Sequence, residues 1–152
     1  MALGEITSVD PTSALTGGVL AFIAGMLILA IILSIALYIY MGFAYMAIGR
    51  KAKLNSPGLA WIPGIGPLII AFEASDMPSW PWFLILGIFT GFIHPFLAYA
   101  FMIAFGVFAI IWEWKMFEVV KRPGWWSLLR LIPFVGILIH LVLIGIAAWS
   151  KD

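Results

Sequence analysis

The sequence contains no cysteine. That excludes disulfides, thiol nucleophiles and thiolate metal sites. It is also poor in charge: 10% of its residues are Asp, Glu, Lys or Arg, against roughly 25% in a soluble domain. Its two histidines, His94 and His140, lie far apart, so the paired-histidine spacing of a helical metal site is missing. There is no glycine-rich phosphate loop and no Gly-x-Ser-x-Gly elbow. A net charge of +1 gives no sign of a nucleic-acid partner. A chain so equipped is expected to be a non-enzyme without cofactor or metal.

Apolar residues fill the space, at 64% of the chain and a mean hydropathy of +1.15. A water-soluble fold would lack the polar surface to cover its exterior, and lipid removes that requirement. The expected class is therefore an all-α integral protein of the cell membrane, a single membrane domain over residues 1–152. Met1 to Thr16 carries Glu5 and Asp10 but no Lys or Arg, so the basic start of a signal peptide is missing. The apolar run 17–48 exceeds the ~20 residues that cross the hydrocarbon core, and the surplus implies tilt or projection. Arg50, Lys51 and Lys53 end it.

Pro57, Pro63 and Pro67 alternate with Gly58, Gly64 and Gly66 over the next segment. Proline removes helix donors and clashes with the preceding turn, so 57–75 is expected to form a re-entrant or interfacial element with a helical end. Ser79 to Val120 is almost unbroken apolar chain. As one helix it would run roughly 60 Å, twice the hydrocarbon core, so it must fold back. His94-Pro95 is the strong breaker, which divides it into spans 80–93 and 96–120. A last span is expected over 131–149. Lys115, Lys121, Arg122 and Arg130 form a second basic cluster, and the positive-inside rule places both clusters in the cytoplasm. Four transmembrane helices with the N- and C-termini outside follow from that count.

The stretch KRPGWWSLLRLIPFVG, Lys121 to Gly136, reads as a corner where the chain re-enters the membrane. Trp125 and Trp126 are its expected interfacial anchors. SPGLAWIPGIG, Ser56 to Gly66, echoes it, and IPGIGPLIIAF (Ile62 to Phe72) aligns with IPFVGILIHLV (Ile132 to Val142). Each copy follows a long apolar helix and a basic cluster. Two such units facing the same way suggest an internal parallel repeat. The blocks KLNSPGLAWIPGIGPLI, ASDMPSWPWFLIL and FEVVKRPGWWSLLRLIPFVGILI resemble uncharacterised small membrane proteins of archaea and bacteria. In that family, corners of this kind are followed by a polar residue such as Asn after the Ile-Pro. Here Gly64-Ile65-Gly66 and Phe134-Val135-Gly136 stand in its place. The resemblance carries no activity.

Polar candidates are few. Glu113 lies between Trp112 and Trp114, which mark an expected interface to which the carboxylate would snorkel. On that reading Glu113→Gln changes stability by well under 1 kcal/mol. The competing reading makes it an intramembrane functional group. Glu118 has Arg122 four residues on and Lys115 three before, a spacing for helix-face ion pairs. Glu73 is expected at an interface. His140, deep in the last span, is a candidate relay or ligand group, or a side chain hydrogen-bonded to a neighbouring helix. Gly87 and Gly91 form GIFTG, a small-xxx-small pair for close helix packing. These features point first to a structural or accessory membrane protein. Its partners would be the lipid bilayer and itself or other membrane subunits. The alternative is a small transporter or channel subunit using Glu113 and His140, with Ser34 and Thr90 as further polar groups.

Overall fold

The computed structural model describes residues 11–151, and every element among them is helical. In chain order these are α1 (Pro11–Lys51), a 3-10 helix (Pro57–Trp61), α2 (Gly66–Ser75), a second 3-10 helix (Trp80–Phe92), α3 (Pro95–Val119), α4 (Trp126–Leu129) and α5 (Gly136–Trp149). Two stretches are long and apolar enough to cross a membrane, Leu15–Lys51 and Pro95–Val119. Glu5 and Asp10 of the N-terminal stretch without Lys or Arg lie outside the described residues.

The chain divides into two compact units after Tyr38. Within the first, residues 15–38 of α1 are exposed on every side. Its Ser34 hydroxyl donates to the Ala30 carbonyl at 2.7 Å, so the group is used inside its own helix.

The second unit is built around α3. Ala109, Trp112, Glu113, Met116, Phe117 and Val120 are buried, and their three- and four-residue spacing gathers them into one stripe. α2 and the 3-10 helix Trp80–Phe92 pack on α3. The latter runs antiparallel to α3: Trp80 meets Phe108, Trp82 meets Trp112, and Gly87 lies under Phe101. The turn between them sits at His94, whose Nδ1 accepts from the Phe96 N–H at 3.3 Å. Pro95 opens α3 at a position where a missing donor costs nothing. The Thr90 hydroxyl donates to the Gly87 carbonyl, again inside its own helix.

α1 and α3 end in the same backbone pattern. Lys53 and Lys121 both adopt the left-handed conformation, at φ 55° and 59°. Leu54 N–H reaches back to the Gly49 carbonyl at 3.0 Å and Arg122 N–H to that of Phe117 at 2.8 Å, the long bond of a Schellman cap. Beyond each cap the chain turns at an Ile-Pro tip. Gly64 and Phe134 have positive φ, 81° and 65°. The N–H groups of Gly66 and Gly136 bond the carbonyls of Ile62 and Ile132 at 2.8 and 2.9 Å. A Cβ on Gly66 would run into the Ala60 carbonyl, and one on Gly136 into that of Arg130, seventy residues on in each comparison.

Each corner returns the chain to the basic end of the unit. Trp61, before the first tip, packs on Phe43, whereas Phe72 and Glu73, late in α2, line one pocket with Lys53 and Asn55. At the second corner, residues 131–135 form the tip, and α5 keeps 14 residues, about 21 Å of helix. The Tyr40 hydroxyl donates to the Leu141 carbonyl at 2.6 Å. Lys51 Nζ donates to the carbonyls of Ala147 and Ser150 at 2.9 and 2.6 Å, and the Arg122 guanidinium donates to the Ser150 hydroxyl. α5 therefore runs the same way as α1 and α3. The expectation of a last span 131–149 leading away from the basic clusters is corrected: Ser150 lies against them. Lys51 supplies the cation that the exposed carbonyls of a helix C-terminus favour.

Candidate functional site

Four side chains from separate parts of the second unit meet in its interior. Glu113 comes from the buried stripe of α3 and is 5% exposed. Tyr45, buried on α1, donates its hydroxyl to Glu113 Oε1 at 3.0 Å. Arg130, in the second corner, donates from Nη1 to Glu113 Oε2 at 2.8 Å. His140, buried on α5, brings Nε2 to 3.4 Å from Oε1, while its Nδ1 is buried without a hydrogen-bond partner. A carboxylate withdrawn from water needs partners of this kind, because desolvation costs several kcal/mol per ion.

The cluster lines a cavity of about 490 Å³. Gly64 of the first tip lines it with Pro67 and Leu68 of α2, and Ile137 and Leu141 of α5 line it as well. The Arg130 side chain is 38% exposed, so it reaches the edge of the buried cluster. Of the residues singled out in sequence, Glu113 and His140 are brought together here. Glu73 is not: it is half-buried in a separate pocket with Lys53 and Asp76.

The interfacial placement of Glu113 is corrected, and its flanks show why it misled. Trp112 is fully buried, with ring centroids 5.1, 5.3 and 5.8 Å from Phe72, Trp82 and Phe105. It is a core residue, not a headgroup anchor. Trp114 donates to Glu118 Oε1 at 2.7 Å. Glu118 is thus engaged by an indole, and Arg122, its expected ionic partner, turns to Ser150. Trp125 is exposed and Trp126 packs its ring on Phe117. In the GIFTG pair, Gly87 faces Phe101 and Gly91 faces Ala98.

Sequence reasoning missed Tyr45, and it placed Arg130 only in a basic cluster. One signal was available. Lys115 and Glu118 mark the exposed face of α3, and Glu113, two residues before Lys115, falls about 200° around the helix from it. Among the described residues no group of three or more His, Asp or Glu side chains could hold a metal ion. The chain matches no family model, curated protein or solved structure.

Proposed function

We propose that this is a polytopic membrane protein whose cavity admits a small polar solute, as a non-enzymatic transporter or channel subunit. One observation carries the reading: Tyr45, Glu113, Arg130 and His140, from four separate places in the chain, converge on one cavity of about 490 Å³. Ionisable groups inside a membrane are costly and mark pathways for ions and protons. A purely structural ion pair has no need of the adjoining space. Gly64 of the first tip and Arg130 of the second corner line that space, and irregular backbone is tolerated at membrane depth where it lines a cavity.

The topology that goes with this reading has three crossings: α1, the segment 80–92 and α3. The two corners, with α2 and α5, are re-entrant hairpins on the basic, cytoplasmic side, and they form the halves of an internal parallel repeat. The matched caps and tips support it, as does the return of α5 to Lys51. The protein then has its N-terminus outside and its C-terminal end inside.

Single cysteines test both points, since the chain has none of its own. Ile137→Cys should react with a small charged thiol reagent added from the side of Lys53, and lipid-facing Ile103→Cys should not. Cysteines at 53 and 150 should label from one side and at 95 from the other. An inert cysteine at 137 would close the cavity and leave the second reading.

That second reading is an accessory protein acting through helix contacts in a homo-oligomer or larger complex. The exposed apolar residues 15–38 of α1 favour it. Crosslinking from single cysteines along this stretch, to a second copy or to another subunit, would support it.

A further inference from the structure

This inference rests on the solute-binding reading above and names its ligand. We propose that the cavity binds a small singly charged oxyanion on Arg130 together with one proton on Glu113.

A guanidinium offers five N–H donors in a planar fork that matches a carboxylate or sulfate. Glu113 Oε2 holds one nitrogen of Arg130, and 38% of the side chain remains exposed. A cation entering the cavity would meet that guanidinium. An oxyanion fits it, but Glu113 competes for the same donors, and the two negative charges repel strongly where water is scarce.

A proton resolves the competition. With a neutral imidazole on His140, Glu113 and Arg130 sum to zero charge before binding. With an anion alone the site would carry −1, and with a proton alone +1, each a net charge out of water. With both, it returns to zero. The proton forms an O–H bond on Glu113, and the anion takes the donors that Glu113 releases.

The surroundings can hold the neutral acid. The Tyr45 hydroxyl already donates to Oε1, and His140 Nε2 at 3.4 Å is placed to accept the new O–H. That arrangement puts the imidazole proton on Nδ1, the atom with no partner. The elements packed on α3 add no rival proton site: the 3-10 helix Trp80–Phe92 and α4 contain no titratable residue, and Glu73 of α2 faces the other pocket.

The test is calorimetric titration of the full chain in phosphatidylcholine nanodiscs with acetate and with methanesulfonate, both monoanions. Buffers of different ionisation enthalpy count the protons. Wild type should take up about one proton per anion and bind about tenfold tighter for each pH unit lowered while Glu113 is ionised. Glu113→Gln should bind the anion without proton uptake and without pH dependence, and Arg130→Ala should not bind it. Proton uptake on moving wild type into phosphatidylglycerol, with no soluble anion, supports the same chemistry with a headgroup phosphate as ligand. Wild-type binding without proton uptake overturns the proposal, and so does a Glu113→Gln protein that still takes up a proton. If no anion binds while Ile137→Cys is labelled from water, the ligand assignment falls and the solute-binding reading stands. If that cysteine is also inert, both fall.

Discussion

At the first corner the chain places Ala60 and Ile70 where, seventy residues on, the second places Arg130 and His140. The backbones match at the cap, the left-handed tip and the close-packed glycine. The side chains do not. A corner therefore needs its glycine and its two left-handed residues, and it tolerates either an apolar or a charged filling. The helices tell the same story. Counting back from Glu113 by the distance that separates Lys121 from Lys53 arrives at Tyr45, and these two equivalent positions bond each other. Tyr45 of the polar cluster comes from the helix before the first corner, and its ionisable partners Glu113, Arg130 and His140 come from the helix before the second corner and from that corner onward.

The largest expected effect comes from removing that asymmetry. Glu113→Gln leaves Arg130 without its counter-ion and should lower stability by about 3 kcal/mol in thermal unfolding in mild detergent, the lower end for a broken buried pair because Arg130 is 38% exposed. Arg130→Ala, which gives the second corner the residue of the first, should cost a similar amount. Combining them should recover more than about 1 kcal/mol of the summed loss; strict additivity would mean that the pair is not coupled. Next come the paired glycines. Gly66→Ala and Gly136→Ala each drive a Cβ into a backbone carbonyl and should each cost about 2 kcal/mol in denaturant unfolding. A gap between them of more than about 1 kcal/mol would break the equivalence of the corners. Tyr45→Phe removes one hydrogen bond to a charged group, worth about 1.5 kcal/mol by the same assay. The smallest effects lie at the tips. Gly64→Phe should cost about 1 kcal/mol, because it puts a side chain at φ 81°. Phe134→Gly, at a residue 95% exposed, should raise the melting temperature slightly or leave it unchanged.

Much of this was legible where chemistry is local. His94-Pro95 announced the turn, because proline cannot continue a helix and opens one well. The proline and glycine between 57 and 67 announced a segment that is not one helix. The direction of α5 was hidden because Leu131 to Val135 are apolar enough to extend a span, although Pro133 and Gly136 commit them to a tip. Glu113 was hidden for another reason. Its partners lie 68, 17 and 27 positions away, at Tyr45, Arg130 and His140. α3 is so uniformly apolar that its buried stripe has little polar contrast to reveal it.

The grip of Lys51 on the last turn of α5 also sets an order of events. Lys51 and the carbonyl of Ser150 are 99 positions apart, so at typical synthesis rates about 5–20 s pass between the emergence of the two. Throughout that interval the ammonium group lacks the α5 carbonyls that it holds in the folded chain. Among the described residues, the contacts of Lys51 and Arg122 with Ser150 are the latest that the growing chain makes. The wall that Ile137, His140 and Leu141 of α5 give to the cavity is likewise missing until these residues have been made.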